Sequence, residues 1–203
     1  MEFKFCPHCG GQLQIKSVGV GQRLYCDHCR KIQYRNPTVG VAVVYVENDR
    51  LLLVRRSGSD AGKWCIPCGH VERGEDIRDA GRREFVEETG LQVTIGPVFA
   101  VHSNFHDPEN PTVGIWFWGQ KVGGKLRAGS DAAEVGFFSI NDLPDQMAFP
   151  TDLMVCEKLR RCLESDDVKQ YLESNWAKTY LTRTDRGLSL LDINSRRVHG
   201  EAI

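Results

Sequence analysis

The chain reads as an α/β (α+β) domain behind a small metal-closed ribbon. Three observations predict this. Beyond residue 36, β-branched apolar runs alternate with helical patterns. Ahead of them stand two Cys-x-x-Cys pairs, Cys6/Cys9 and Cys26/Cys29. The 203 residues suit one full domain plus something smaller.

The ribbon is assigned to residues 1–35. Sixteen residues separate its cysteine pairs, a spacing that suits a tetrahedral Zn²⁺ held by Cys6, Cys9, Cys26 and Cys29. Gly10 and Gly11 follow the first knuckle, where the backbone must turn under the metal. His8 and His28 lie inside the knuckles but are read as bystanders, because four thiolates complete the coordination. So short a segment has little apolar core, so metal binding would supply its folding energy. Lys4, Lys16, Arg23, Arg30, Lys31 and Arg35 oppose only Glu2 and Asp27 here, a local charge of about +4. Phe3, Phe5, Tyr25 and Tyr34 could stack on bases or line the ribbon. Nothing in the spacing arranges them as a reading surface, so a structural role is favoured over nucleic-acid binding.

Composition narrows the class further. Apolar residues make up 41%, enough for a core, and 26 Lys+Arg balance 27 Asp+Glu. No overall charge excess advertises nucleic acid or an acidic membrane surface. No apolar run approaches a membrane span, and the first residues lack the pattern of a signal peptide. A cytoplasmic protein that does not engage membrane is expected, and in that compartment clustered cysteines read as ligands before disulfides.

The main domain is assigned to residues 36–163. Val39–Val46 is a buried strand, Asn48-Asp49 a turn, and Leu51–Val54 the returning strand of a hairpin. A polar loop follows. Residues 74–89 read as a helix stopped by Gly90. Val93–Ile95 and Val98–Val101 read as two short strands, Val113–Trp118 as another, and Phe137–Ile140 as the last. Residues 104–112 and 123–133 are polar loops. Thr151 is placed as the cap of a helix with Leu153, Cys156, Leu159 and Leu163 on its apolar positions. Residues 164–203 are assigned to a C-terminal helix, starting at Asp166 or Asp167, and a tail. Gly187–Ile193 in that tail reads as a strand or a partner contact, and the whole segment could serve an oligomer. A third pair, Cys65/Cys68, sits in strand or loop context and is read as buried and inert.

The helix at 74–89 carries the strongest chemical signal. At 100° per residue, Ile77, Ala80 and Gly81 share a face, and Glu84 and Glu88 continue it, with Glu87 beside them. Carboxylates on the core-facing side lose hydration and repel one another, which costs several kcal/mol per ion unless something pairs with them. A hard divalent cation such as Mg²⁺ resolves this and then reaches for phosphate. Arg83, four residues before Glu87, can neutralise or orient that carboxylate.

The surrounding letters carry the reading further. Gly69, five residues, Glu75, seven residues, then Arg83-Glu84-Phe85-Val86-Glu87-Glu88-Thr89-Gly90-Leu91 resembles the signature box of the Nudix hydrolases. Phe85 stands where Ile, Leu or Val is usual, and all seven fixed letters are present. The preceding Trp64-Cys65-Ile66-Pro67-Cys68-Gly69 is similar to the family's Trp-x-x-Pro-Gly-Gly, with Cys68 in place of the first glycine. The resemblance implies an α/β/α sandwich with a mixed sheet and hydrolysis of a nucleoside diphosphate linked to another group, using Mg²⁺ or Mn²⁺. It implies that Glu84 and Glu88 are the principal metal ligands, assisted by Glu87 and the Gly69 carbonyl. Arg83 would pair with Glu75 or Glu87 and hold the glutamates in place, and Gly90 would close the box.

Glu134, three residues before Phe137-Phe138, looks like the family's Glu-x-x-aromatic element and is the candidate general base; a glutamate of the helix could serve instead. Arg55 and Arg56 could grip phosphate, and Phe105 or Trp116 could stack on a base. Strand alternation puts Trp116 and Trp118 on one face and Phe117 on the other.

Within the family, Phe5-Cys6-Pro7-His8-Cys9-Gly10-Gly11 is similar to the opening of ribbon-bearing ADP-ribose/FAD pyrophosphatases. NADH pyrophosphatases share the ribbon but carry a further Ser-Gln-Pro-Trp-Pro-Phe-Pro-type element that is not found. The expected substrate is therefore a dinucleotide or nucleotide sugar of the ADP-ribose, FAD or NADH type, cleaved to release a nucleoside monophosphate. A nucleoside triphosphate pyrophosphohydrolase is the alternative. A nucleotide-sensing, nucleic-acid-binding regulator is the contrasting class, and the intact glutamates argue against it. The resemblance also implies a homodimer.

Overall fold

The structure is a computed structural model and describes residues 3–129 and 132–165. The expected second helix after Asp166, the strand at Gly187–Ile193 and nearly all of the assigned tail lie outside the described residues.

Three strands, β1 (Leu13–Val18), β2 (Gly21–Cys26) and β3 (Lys31–Gln33), form the ribbon's antiparallel sheet. Its apolar core is only Cys6, Leu13 and Cys26, flanked by Leu24 and Cys29. That is too little to fold on, and the four Sγ atoms lie within 4.8 Å of one another, where a bound metal would supply the missing stability. Backbone donors reinforce them: Gly11 N–H points at Cys9 Sγ and Cys29 N–H at Cys26 Sγ, each at 3.4 Å. Backbone N–H groups at His8 and Cys9 pull the Cys6 thiol down to about 7, whereas hydrogen bonding with Cys9 and burial push the Cys29 thiol up to about 12, so holding all four as thiolates takes a bound metal. His8 and His28 are exposed, as expected for bystanders. An all-sulfur set at this spacing fits Zn²⁺.

The main body follows with β4 (Thr38–Val44), β5 (Val46–Glu47), β6 (Arg50–Arg56), β7 (Trp64–Cys65) and β8 (Cys68–His70). Then come α1 (Ile77–Thr89), β9 (Leu91–Asn104), β10 (Thr112–Gly124), β11 (Ala132–Ser139) and α2 (Pro150–Glu164). One sheet has the order β8-β4-β10-β9 and is mixed, because β4 and β10 run parallel while its other pairs are antiparallel. A second, antiparallel sheet has the order β11-β6-β5, with β7 also on β6. Asn48 and Asp49 both take positive φ (51° and 59°), the requirement of a tight two-residue hairpin turn between β5 and β6.

Alternation along the strands divides the core. Ala42, Val44, Leu51, Leu53, Trp116 and Trp118 face α2 and its Val155, Cys156 and Leu159. Val41, Val43, Leu52 and Phe117 face α1 and its Ala80 and Phe85. The sheets thus lie between two helices, and Trp116/Trp118 against Phe117 follow the expected alternation. Among the described residues, no helix is long and apolar enough to cross a membrane.

Expected boundaries change in five elements. The two short strands at 93–95 and 98–101 are one strand, β9. Gly96-Pro97 does not break it because the register slips there: Phe117 pairs with Val98 and Gly119 with Ile95, so proline's missing N–H falls at a bulge. β10 runs past Trp118 to Gly124, and β11 begins at Ala132, each extended by its partner strand rather than by its own apolar letters. Helix α1 starts at Ile77, not 74, because Gly74 has φ +86° and Asp76 caps the helix by accepting from Arg78 N–H at 2.9 Å. Helix α2 is preceded by Phe149 with Pro150 at its start, so Thr151 is not the cap; its buried Oγ1 has no hydrogen-bond partner among the described residues.

Candidate active site

Helix α1 lays its amino-acid pattern against β8, and Arg83 organises what lies between. Its Nε and Nη2 donate to the two oxygens of Glu75 at 2.8 and 2.9 Å, a bidentate fork. Its Nη1 donates to Glu84 Oε1 at 2.7 Å and Glu87 Oε2 at 3.3 Å, and Nη2 also reaches the His70 carbonyl at 3.1 Å. Sequence reasoning offered Glu75 or Glu87 as its partner; the structure gives it both, and Glu84 as well. The Arg83 guanidinium holds the Glu75 carboxyl down at about 2, with help from the Glu72 N–H.

Glu88 is 5% exposed, and its Oε2 accepts from the Cys68 N–H at 2.9 Å. Glu84 presses so closely on β8 that a Cβ at Gly69 would fall 2.0 Å from its carboxyl carbon. Glycine at 69 is therefore a steric requirement of the glutamate's position. Glu87 lies at the rim, with its side chain 46% exposed. The expectation that these three carboxylates converge is modified. Arg83 draws Glu84 and Glu87 to itself while the Cys68 N–H draws Glu88, and among the described residues only the four ribbon thiols form a ligand set within 4.8 Å. The side-chain donors are nonetheless all carboxylate oxygens, on one helix face against β8, which suits a hard cation such as Mg²⁺ or Mn²⁺.

The other charged candidates stand on β6 and β11. Arg55 Nη2 pairs with Glu134 Oε2 at 2.7 Å, across a bulge between Ala132 and Glu134. The β10–β11 connection crosses the carboxyl end of α1: Arg127 N–H donates to the Thr89 carbonyl and Gly129 N–H to that of Glu88. These bonds cap the helix and carry the chain from its end toward Glu134. Arg56 donates to the Ser59 carbonyl at 2.8 Å and lies 5.2 Å from the Phe149 ring. Its Nη2 also donates to Ser59 Oγ at 3.1 Å. The His106 ring meets the Phe149 ring edge-on, 5.3 Å from it. Phe105 is exposed and stays available for stacking.

Trp116 corrects an expectation. The ring proposed to stack on a base is 4% exposed, and its Nε1 donates to Asp152 Oδ1 at 3.0 Å. It belongs to the core because its strand position faces α2. Asp152 itself was missed by sequence reasoning. It is 1% exposed and also accepts from the Ile66 N–H at 3.0 Å, so it ties α2 to the segment that leads into β8. Burial pushes its carboxyl up to about 7 against the pull of both donors. An acid in the first turn of a helix ordinarily reads as a solvated helix-start residue, and no letter near it signals otherwise. Cys65 and Cys68 are free thiols, and hydrogen bonding with Cys65 together with burial keeps the Cys68 thiol protonated. This agrees with an inert pair.

Comparison with known proteins places this geometry. Residues 35–157 match the NUDIX domain. An ADP-ribose pyrophosphatase of Methanocaldococcus jannaschii is 34% identical over 129 residues, covering 63% of this chain and 76% of that one. The NAD-capped RNA hydrolase NudC of Vibrio atlanticus is 26% identical over 143 residues, and Nudix hydrolase 19, chloroplastic, of Arabidopsis thaliana is 38% identical over 92. The chain spans 51% and 21% of those two proteins, respectively. A crystal structure of a NUDIX hydrolase from Nitrosomonas europaea superimposes with a TM-score of 0.69 at 28% identity, over 80% of this chain and 91% of that one.

Proposed function

The chain belongs to the NUDIX family of hydrolases, and we propose that it cleaves the diphosphate of a dinucleotide or nucleotide sugar of the ADP-ribose type. A nucleoside monophosphate is released. The observation that carries the reading is Arg83, which binds Glu75, Glu84 and Glu87 at once and so presets an acidic helix face next to Gly69. Such pre-setting is what a divalent ion with phosphate as its next ligand requires.

In this reading Glu84, Glu88 and the Gly69 carbonyl hold Mg²⁺ or Mn²⁺, with Glu87 assisting from the rim. When bound, the ion neutralises the diphosphate and acts as a Lewis acid at the reacting phosphorus. Arg83 keeps the ligands oriented and does not touch substrate. Arg56, beside the Phe149 ring, binds a phosphate oxygen. Glu134 takes the proton of the attacking water, and Arg55 holds that carboxylate in place until then. Phe105 offers an exposed ring to the base. Zn²⁺ in the ribbon is structural.

The test is a panel of ADP-ribose, FAD, NADH and nucleoside triphosphates, assayed with and without Mg²⁺. AMP release from ADP-ribose that depends on the metal is expected, together with a loss of at least about 100-fold in turnover for Glu88→Gln. Pyrophosphate release from a triphosphate as the dominant reaction would shift the substrate class. Unchanged turnover in Glu88→Gln would refute the assignment of the site.

A further inference from the structure

The ribbon carries more than four thiols require. Pairing of Ile15 with Leu24 and of Leu24 with Gln33 sets these three side chains in a row across one face of its sheet. A groove of about 490 Å³ runs over that row, lined also by Gln22, by Arg23, whose guanidinium folds back to donate to the Gln22 carbonyl, and by Tyr34, Arg35 and Asn36 where the chain leaves for the main domain. Ile15 and Tyr34 are each 59% exposed. Arranged this way, an aromatic ring, two arginines and three amides gather around the apolar pair Ile15 and Leu24, a placement that the linear spacing does not reveal.

Charge gives the groove a direction. Lys16 is paired with Asp27, whereas Arg23, Arg30, Lys31 and Arg35 have no acidic partner among the described residues. Residues 1–35 hold six cations and two acids, which leaves 20 basic against 25 acidic side chains in the rest of the chain. The near-neutral total therefore conceals a basic ribbon ahead of an acidic body. Cations without acidic partners around an exposed aromatic ring complement a polyanion. Aromatic stacking beside phosphate-binding guanidinium groups is the chemistry that holds single-stranded nucleic acid without sequence preference.

We propose that this groove binds single-stranded nucleic acid, with Tyr34 stacking on a base and Arg23 and Arg35 meeting the flanking phosphates. The surface is separate from the carboxylate site, so the proposal stands whether or not the hydrolytic reading holds.

Fluorescence anisotropy of the full zinc-loaded chain with labelled RNA and DNA of about 12 nucleotides tests it. Binding that weakens steeply with salt is expected. Arg23→Glu combined with Arg35→Glu should weaken it at least about tenfold, and Tyr34→Ala about tenfold, with zinc content and hydrolysis of a free dinucleotide unchanged. The RNA and DNA arms show which strand chemistry the groove prefers. Absence of binding at low salt, or equal binding by the variants, would overturn the proposal. So would a change of oligomeric state in the variants without any binding by the parent, which would make the groove a subunit contact. If a variant loses its zinc, photocrosslinking of the unaltered protein to a thiouridine-bearing strand decides instead. A crosslink on the Tyr34 peptide supports the groove, and crosslinks only elsewhere refute it.

Discussion

Helices α1 and α2 cover one sheet from opposite sides, and each buries a carboxylate against it. Glu88 is 5% exposed and Asp152 is 1% exposed, so depth does not separate them. Their company does. The inward face of α2 continues from Asp152 into Val155, Cys156 and Leu159, and both Asp152 oxygens are engaged by Ile66 and Trp116. The face of α1 continues from Glu88 to Glu84, where Arg83 ties in Glu75 and Glu87. One acid is a fastener within an apolar layer; the other is part of a charged row beside a backbone carbonyl. A buried carboxylate is thus assigned by its neighbours on the helix, and burial alone says little.

The contrast can be broken at three points. The largest effect is expected from Leu159→Ala on the α2 side: a loss of about 2–5 kcal/mol in chemical denaturation, because Leu159 is fully buried. Turnover per folded molecule should hold, the reverse of Glu88→Gln. Lost activity in a fully folded Leu159→Ala protein would show that α2 shapes the site directly.

Asp152→Asn comes next. Asparagine offers one acceptor where two donors converge, so a loss of about 1–3 kcal/mol is expected. The pH dependence sharpens this. The carboxyl rises from an ordinary 3.8 to about 7 on folding, so the stability it contributes is full below about 3.8 and is lost as pH rises through about 7. Melting temperatures of the parent should therefore decline across that window on this account, and the asparagine variant should flatten the decline. Parallel curves would remove Asp152 from the explanation.

The smallest effect is expected from Arg83→Lys. An ammonium cannot serve Glu75 bidentately and reach Glu84 and Glu87 as well. Activity should fall about tenfold with weaker metal affinity and little change in melting temperature. A large stability loss with normal metal affinity would recast Arg83 as a core fastener like Asp152.

Much of this was legible in the sequence, for physical reasons that also explain the gaps. The ribbon was legible because tetrahedral thiolate coordination fixes short spacings. The glutamates of α1 were legible because their phase along the helix contradicts burial. Strand β9 was misread because proline inside an apolar run signals a break, and only the register of β10 shows that Pro97 falls at a bulge. Trp116 was misread and Asp152 missed for one reason. They are 36 residues apart, and the indole proton that makes one a core residue is what makes the other a buried acid. Thr151 was chosen as a cap on its hydroxyl, but Pro150 already sets the helix start.

The parallel pairing of β4 with β10 has a consequence for the order in which the molecule is assembled. The ribbon's thiols span 23 residues from first to last, so all its ligands are present once the first fraction of the chain exists. Val41 meets Ile115 only after everything between them has been made, and Ile66 waits a further stretch for Asp152, 86 residues away. Closing such distant pairs is slow compared with local turns. The thiol-lined module can therefore be complete while the carboxylate helix still lacks both the strand behind it and the layer beneath that strand.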